Sequence, residues 1–175
     1  MAYYYLISSL PMLKADGEMP ISYDEFLKMC KGSVSDMKYE ALRNLSVLSD
    51  DGPLISKWAD FYGVLNGELT YQRNERLGKK SQTPDIKDEG MAKTVTMALN
   101  DENPLNAEET LLALEFQKVD ELIGTHYFDD YALMGYALKL KLLERKKSFN
   151  KEAGKKEFSR ILDRLEEQIV NMEQE

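Results

Sequence analysis

Apolar residues recur at three- and four-residue steps along most of the chain, which is the spacing of one buried helix face. The clearest run follows Pro53, where the apolar positions are Leu54, Trp58, Phe61, Leu65 and Leu69. No window of four to eight residues alternates between apolar and polar positions as a half-buried strand does. The pattern therefore predicts an all-α fold of about six to seven helices, in a single domain spanning residues 1–175.

Capping and helix-breaking residues locate the first predicted helices. Pro11 ends any helix that begins at the three tyrosines Tyr3–Tyr5, and these tyrosines fit either a short helix or an extended segment. Ser22 and Glu25 have capping-box spacing, so a helix is expected to start there and to end near Gly32.

The next two predicted helices are separated by a Gly-Pro pair. Ser33 or Ser35 can cap a helix that runs to Gly52, and the long helix with the apolar face follows. Gly63 and Gly67 lie inside that long helix. Because glycine costs about 1 kcal/mol of helix propensity relative to alanine, these positions indicate close packing or a bend.

Turn residues also punctuate the second half of the chain. Residues 78–90, "GKKSQTPDIKDEG", combine Gly, Pro and charge with little to bury, which predicts a mobile loop. A short helix is expected directly after them. Asn106 and Glu109 then have capping-box spacing at the start of a helix that Gly124 ends.

The last two predicted helices form an antiparallel hairpin over residues 130–173. The first is expected to start near Asp129 or Asp130, and Asn150 is a good N-cap for the second. Their connection, "KKSFN", is so short that the two helices have to pack side by side.

Composition excludes several classes of protein. The chain carries 31 acidic and 23 basic residues, a net charge of -8, which argues against nucleic acid as its partner. No apolar run approaches the ~20 residues that cross a bilayer, and the first residues lack the positive charge of a signal peptide. Cys30 is the only cysteine, which excludes an intrachain disulfide and fits a cytoplasmic protein.

Candidate catalytic chemistry is sparse. The sequence contains no glycine-rich phosphate-binding motif, and with one histidine and one cysteine it cannot build the commonest zinc sites. The strongest cluster is His126, Asp129 and Asp130, which could move protons or hold a metal. We favour the simpler interpretation, in which one of these aspartates caps the next helix. Cys30 is likewise interpreted as a small core residue and not as a nucleophile. We therefore predict no catalytic, metal or cofactor-binding residue.

Positive charge is concentrated near the C-terminus. Residues 139–164, the basic segment, hold ten basic and four acidic residues, a net charge of +6 on an otherwise acidic chain. The segment is either a solvated helix face or a docking surface for an acidic partner. The predicted partner-binding residues are Arg145, Lys146, Lys147, Lys151, Lys155 and Lys156.

Two segments resemble a known family. "YYYLISSLPML" at residues 3–13 and "THYFDDYALMGYALKLKLLERKKSFNKEAGKKEF" at residues 125–158, the latter preceded by "NPLNAEETLLALEFQKVDEL", carry the resemblance. It is to a family of short bacterial proteins encoded among the subunits of a V-type (A/V-type) ATPase. Members of that family look like shortened relatives of the helical C-type (or d-type) adapter subunit of that enzyme.

The resemblance implies a non-catalytic, all-helical protein of an ion-transporting ATPase. The C-type adapter connects the membrane rotor ring to the central shaft, it binds no nucleotide, and it is about twice as long as this chain. A component of the central stalk or an assembly factor is therefore expected, with the shaft and rotor ring as partners. It would be cytoplasmic, held at the inner face of the cell membrane through the complex.

Two other classes of function remain open on the sequence alone. A free-standing helical interaction or regulatory module would have the same composition and pattern. An enzyme would need a pocket that converges on His126, Asp129 and Asp130.

Overall fold

The computed structural model describes residues 3–81, 83, 88–148, 159–161 and 164, and this part of the chain contains seven helices and no strand. In chain order they are α1 (Tyr4–Ser9), α2 (Tyr23–Cys30), α3 (Asp36–Arg43), α4 (Pro53–Arg76), α5 (Glu89–Asn100), α6 (Pro104–Ile123) and α7 (Asp130–Ser148). Residues 159–161 and Arg164 are helical as well and are not counted among these seven helices, because most of the residues around them lie outside the described part of the chain. The all-α prediction is confirmed for the described residues.

Several predicted helix ends are confirmed. The N-terminal tyrosines form a helix that stops ahead of Pro11. Ser22 and Glu25 make the capping box: the Ser22 hydroxyl accepts from the Glu25 N–H at 3.2 Å, and the Glu25 carboxylate accepts from the Ser22 N–H at 2.8 Å. Ser35 caps α3 by accepting from the Lys38 N–H at 3.4 Å.

α3 ends much earlier than predicted, at Arg43. After it, the Ser46 N–H donates to the Ser49 hydroxyl at 3.0 Å, and such local side-chain bonds compete with the helical hydrogen bonds of the main chain. The Trp58 indole then donates to the Val47 carbonyl at 2.9 Å. The predicted last turns of α3 are therefore a loop attached to α4.

The capping residue of α6 also differs from the prediction. Asn103, not Asn106, is the N-cap: its side-chain oxygen accepts from the Leu105 N–H at 3.1 Å, and Pro104 occupies the first helical position. Proline suits that position because its missing N–H would have no partner there. Gly124 ends α6 as predicted, with φ of 54°.

The predicted mobile loop at residues 78–90 ends sooner than expected. Asp88 caps α5 by accepting from the Met91 N–H at 3.0 Å, so Glu89 and Gly90 belong to the helix. The middle of this loop, residues 82 and 84–87, lies outside the described residues. The same is true of most of the second helix of the predicted hairpin.

The main core joins six of the helices. It contains residues of α1, α2 and α3, the first half of α4, and facing stripes of α6 and α7. Its largest fully buried side chains include Trp58, Phe26 and Leu140. Cys30 lies in it with no exposed surface, which confirms the prediction of a core cysteine, and burial raises the pKa of its thiol to about 11.

A second core lies at the other end of α4. It consists of six buried residues from α4, α5 and the start of α6: Leu65, Leu69, Met91, Val95, Ala98 and Leu111. Phe61 packs against both cores and lies at their junction. α4 is therefore the element that links the two.

Close helix packing occurs at a different glycine from those predicted. A Cβ added at Gly63 or Gly67 would meet no atom within 4 Å, so these positions face open space. A Cβ at Gly135 in α7 would lie 2.5 Å from the Cδ1 and Cγ1 atoms of Ile123 in α6. The absence of a side chain at Gly135 lets α6 and α7 approach each other.

Candidate partner-binding groove

A groove of about 940 Å³ lies beside the start of α7. It is lined by residues of α3, of the loop between α3 and α4, of the first turn of α4, and of the chain from His126 to Met134; we call it the α3–α7 groove. His126, Asp129 and Asp130, which form the chemical cluster seen in the sequence, all line it.

Asp129 starts α7. One oxygen of its carboxylate accepts from the N–H groups of Tyr131 and Ala132, at 3.0 and 3.2 Å, and the other contacts His126 Nδ1. Burial alone would raise the pKa of Asp129, but the hydrogen bonds from His126 and from these two N–H groups hold it below its usual range. The prediction that an aspartate caps this helix is confirmed.

Asp130 ties α7 to α3. Its carboxylate accepts from Lys38 Nζ at 2.6 Å, with both side chains more than one-third exposed. Such an exposed pair contributes about 0–1 kcal/mol, so its main effect is to fix the two helix ends at one edge of the groove. Tyr3 adjoins the pair, and burial together with the Asp130 carboxylate raises the pKa of its phenol.

His126 has the contacts of a helix-start residue. Its ring stacks on Tyr131, with ring centres 4.4 Å apart and planes 13° apart, and Nδ1 faces Asp129. Within the described part of the chain, no Ser, Thr or Cys side chain hydrogen-bonds to His126, and no group of three His, Cys, Asp or Glu residues could hold a metal ion. This arrangement supplies neither an activated nucleophile nor a metal site.

The base of the groove is apolar. Leu45, Leu54 and Ile55 are buried there, and the partly buried Met134 lines it as well. Met37 also lines the groove, yet it is 80% exposed. Met37 therefore adds exposed apolar surface to a groove whose base is buried.

Three aromatic side chains, Phe128, Tyr4 and Tyr5, contact one another in a row from the groove to the exposed surface, and we call them the aromatic ladder. Phe128 lines the groove, its ring centre lies 4.7 Å from that of Tyr4, and Tyr4 packs edge-on against Tyr5 at 5.5 Å. Tyr5 is 88% exposed. Three adjoining aromatic rings extend the apolar surface beyond the groove itself.

The predicted partner-binding residue Arg145 makes an internal ion pair. Its guanidinium donates to both oxygens of Glu115 in α6, at 3.0 and 2.5 Å. Glu115 is 2% exposed, and burial raises the pKa of its carboxyl although Arg145 opposes the shift. Burial alone would lower the pKa of Arg145, but the contact with Glu115 holds it above its usual range.

The other five predicted partner-binding residues do not share one environment. Lys146 makes an ion pair with Glu109 at 3.1 Å and donates to the Ala15 carbonyl at 3.0 Å. Lys147 is exposed at the end of α7. The remaining three lie outside the described residues: Lys151, Lys155 and Lys156. The structure therefore assigns Arg145 and Lys146 internal contacts and leaves Lys147 at the surface.

Sequence reasoning missed two residues that matter here. Glu115 lies three residues after Leu112 and four before Val119, so the helical spacing itself places this acid on the buried face of α6. The burial of Glu115 could therefore have been predicted from this spacing. Lys38 pairs with Asp130 across 92 positions, and no local pattern indicates such a contact.

In the comparisons with known proteins, one family model matches part of the chain. A family model described as "Protein of unknown function (DUF2764)" matches residues 90–169, which takes in almost all of α5 and the whole of α6 and α7. No curated protein and no solved structure matches the chain.

No helix in the described ranges is both long enough and apolar enough to cross a membrane.

Proposed function

We propose that this chain is a non-catalytic helical subunit or assembly factor of a bacterial V-type ATPase. In this role it would act as an adapter of the C-type, on the cytoplasmic side of the cell membrane, in contact with the central shaft and the rotor ring. The proposal rests on the sequence resemblance together with the all-helical fold of the described residues.

One observation carries the proposal: the two segments that resemble the family lie against each other. Tyr136 of α7 donates a hydrogen bond to the Pro11 carbonyl at 3.0 Å, across 125 positions of sequence. The rings of Tyr4 and Phe128 are in contact as well. Residues that are distant in sequence but share one resemblance thus form one continuous region, as expected if the resemblance reflects one shared structural unit.

The test is purification of the tagged chain from gently solubilised native membranes, followed by mass spectrometry. A structural role predicts catalytic and rotor subunits in fixed ratio to the tagged chain, whereas an assembly factor predicts only a partial set of them. If the chain is recovered alone or with unrelated proteins, the ATPase role is wrong.

Charge reversal tests the predicted docking surface. The lysines to change to glutamate are the exposed Lys147 and three that lie outside the described residues: Lys151, Lys155 and Lys156. A matched control changes the same number of charges at exposed lysines outside the basic segment: Lys31, Lys79, Lys80 and Lys93. Loss of ATPase subunits with the first set but not the second is expected, and equal recovery with both would refute this docking surface.

A free-standing interaction module is the second candidate, and the α3–α7 groove favours it. An exposed apolar surface can bind a partner outside any ATPase. This candidate predicts a stoichiometric complex with one other protein in the same purification, without ATPase subunits.

A further inference from the structure

We propose that the α3–α7 groove binds a basic amphipathic helix of a partner protein. The inference goes beyond the proposed function, because it concerns a different surface from the basic segment and does not require that the partner belong to an ATPase. It rests on the shape of the groove, its apolar floor and its charge.

The 80% exposed Met37 and the partly buried Met134 provide the anchoring surface, above a buried apolar floor. Leu45, Leu54 and Ile55 close its base, and the exposed Met37 stands at its side. Methionine is flexible and polarisable, so it adapts to side chains of different shape. An amphipathic helix inserts apolar residues at three- and four-residue steps into such a groove.

The rim of the groove determines the charge of the partner. Four acidic residues and one lysine line the groove, a net charge of -3 with His126 neutral: Glu40, Asp51, Asp129, Asp130 and Lys38. The N-termini of α4 and α7 also face the groove, and each contributes about half a positive charge. Two cations adjoin the groove without lining it: Arg43, which contacts Glu40, and Lys57, whose Nζ lies 5.9 Å from the centre of the Tyr131 ring. The lining itself carries more acidic than basic groups, which favours a cationic partner.

Two of the four acids, Asp51 and Glu40, are available to a partner, and the other two are already paired. Asp129 and Asp130 already accept hydrogen bonds from His126 and Lys38. Asp51 is exposed and makes no ion pair with any residue that the structure describes, and Glu40 makes only an exposed contact with Arg43 at 3.5 Å. The aromatic ladder adds ring faces, over which Lys and Arg side chains bind favourably.

Two other kinds of occupant fit less well. The last eleven residues of this chain, 165–175, carry four acids and no base, so the groove would repel them. A small molecule needs an enclosed pocket that covers most of its surface, whereas Met37, which lines this groove, is 80% exposed.

Methionine methyl groups provide a direct readout. With ¹³C-labelled methionine methyls, Met37 and Met134 report on the groove, and the exposed Met97 of α5 reports on a surface outside it. The probe is an amphipathic helical peptide of leucine and lysine, and its control is the same peptide with glutamate in place of lysine. We expect the first two methyl signals to shift, with at least about tenfold tighter binding of the lysine peptide.

A matched pair of variants tests the rim charge. Asp51 lines the groove and its neighbour Asp50 does not, although both are exposed. Asp51→Lys is expected to weaken binding of the lysine peptide about fivefold at about 0.15 M salt, and Asp50→Lys less than about twofold, because Asp51 can contact a peptide in the groove directly, whereas Asp50 acts on it only through charge that salt partly screens. Equal effects of the two variants would contradict a role for the groove rim.

Three further results would overturn the proposal. The first is equal binding of the glutamate peptide, which would remove the charge preference. The second is a shift of Met97 without shifts of Met37 and Met134, which would mean non-specific binding to an acidic protein. The third comes from a photo-crosslinking amino acid at position 37 in living cells: attachment to an acidic segment or to lipid would exclude a basic helix, and attachment to a second copy of this chain would exclude a different partner protein.

Each of these results is independent of the ATPase. Recovery of ATPase subunits with failed peptide binding would remove the groove proposal alone. Peptide binding without recovery of those subunits would leave the groove proposal standing and remove the ATPase role.

Discussion

Replacing Arg145 by methionine tests how much the ion pair between Arg145 and the buried Glu115 contributes to stability. The guanidinium makes two hydrogen bonds to Glu115, whose side chain is 2% exposed, while that of Arg145 is 27% exposed. Methionine keeps much of the length and apolar stem of the arginine but removes the charge. The variant therefore leaves a buried carboxylate without its partner.

The cost follows from the two ways in which Glu115 can respond. Removing one member of a buried ion pair typically costs about 3–5 kcal/mol. Taking up a proton limits that cost, because neutralising an ordinary carboxyl group requires roughly 3.7 kcal/mol at pH 7 and roughly 1 kcal/mol at pH 5. We therefore expect Arg145→Met to lower the free energy of unfolding by about 3 kcal/mol at pH 7 and about 1 kcal/mol at pH 5.

The sign of the pH dependence is a separate check. Burial already raises the pKa of Glu115, and removing Arg145 removes the contact that opposes this shift. The folded variant then binds more protons than the unfolded chain, so its stability falls as pH rises above the ordinary carboxyl pKa. Urea denaturation followed by far-UV circular dichroism at pH 5 and pH 7 measures the difference.

Two further variants make the test decisive. Lys147→Met removes the neighbouring exposed charge, and a change below about 0.5 kcal/mol is expected. The double variant with Glu115→Met and Arg145→Met is expected to recover most of the lost stability, because an apolar pair can replace a buried ion pair. A loss below about 1 kcal/mol in Arg145→Met that does not change with pH would refute this account of Glu115.

Three smaller predictions use the same protein. Gly135→Ala is expected to cost about 1–2 kcal/mol in urea denaturation because its Cβ would lie 2.5 Å from Ile123, whereas Gly67→Ala, in open space, should stabilise by up to about 1 kcal/mol; changes of the same sign would contradict this. Cys30 is fully buried with its pKa raised to about 11, so iodoacetamide at pH 8 should label it slowly until urea is added, and rapid native labelling would refute its burial. Tyr23→Phe should cost about 1–2 kcal/mol, again by urea denaturation, because it removes a 2.6 Å hydrogen bond to a buried carbonyl at the end of α3, and an unchanged midpoint would contradict that role.

Helices with strong local signals were predictable from the sequence. The capping box at Ser22, the stop at Gly124 and the apolar stripe that includes Trp58 each depend on residues within one or two turns. Local hydrogen bonding and helical periodicity determine such features. For that reason the all-α fold and most helix starts agree with the sequence-based predictions.

Features that depend on competition or distance were not predictable in the same way. α3 stops at Arg43 and not at Gly52 as predicted, because side chains in the following loop, Ser49 among them, take over the hydrogen bonding of the main chain. The α3–α7 groove joins Met37 to Phe128, which no local pattern connects. The charge of the basic segment was visible, but the buried partner that occupies Arg145 was not recognised.

The packing of α4 against both cores determines which fragments of this chain can fold on their own. The family match covers residues 90–169 and so begins after α4. Yet Leu54, Ile55 and Trp58 of α4 belong to the main core, and Leu65 and Leu69 belong to the second. A recombinant fragment cut at residue 90 would expose both apolar surfaces to water and is expected to aggregate. The smallest soluble fragment therefore has to begin ahead of Pro53, and the unit recognised by sequence is shorter than the unit that folds.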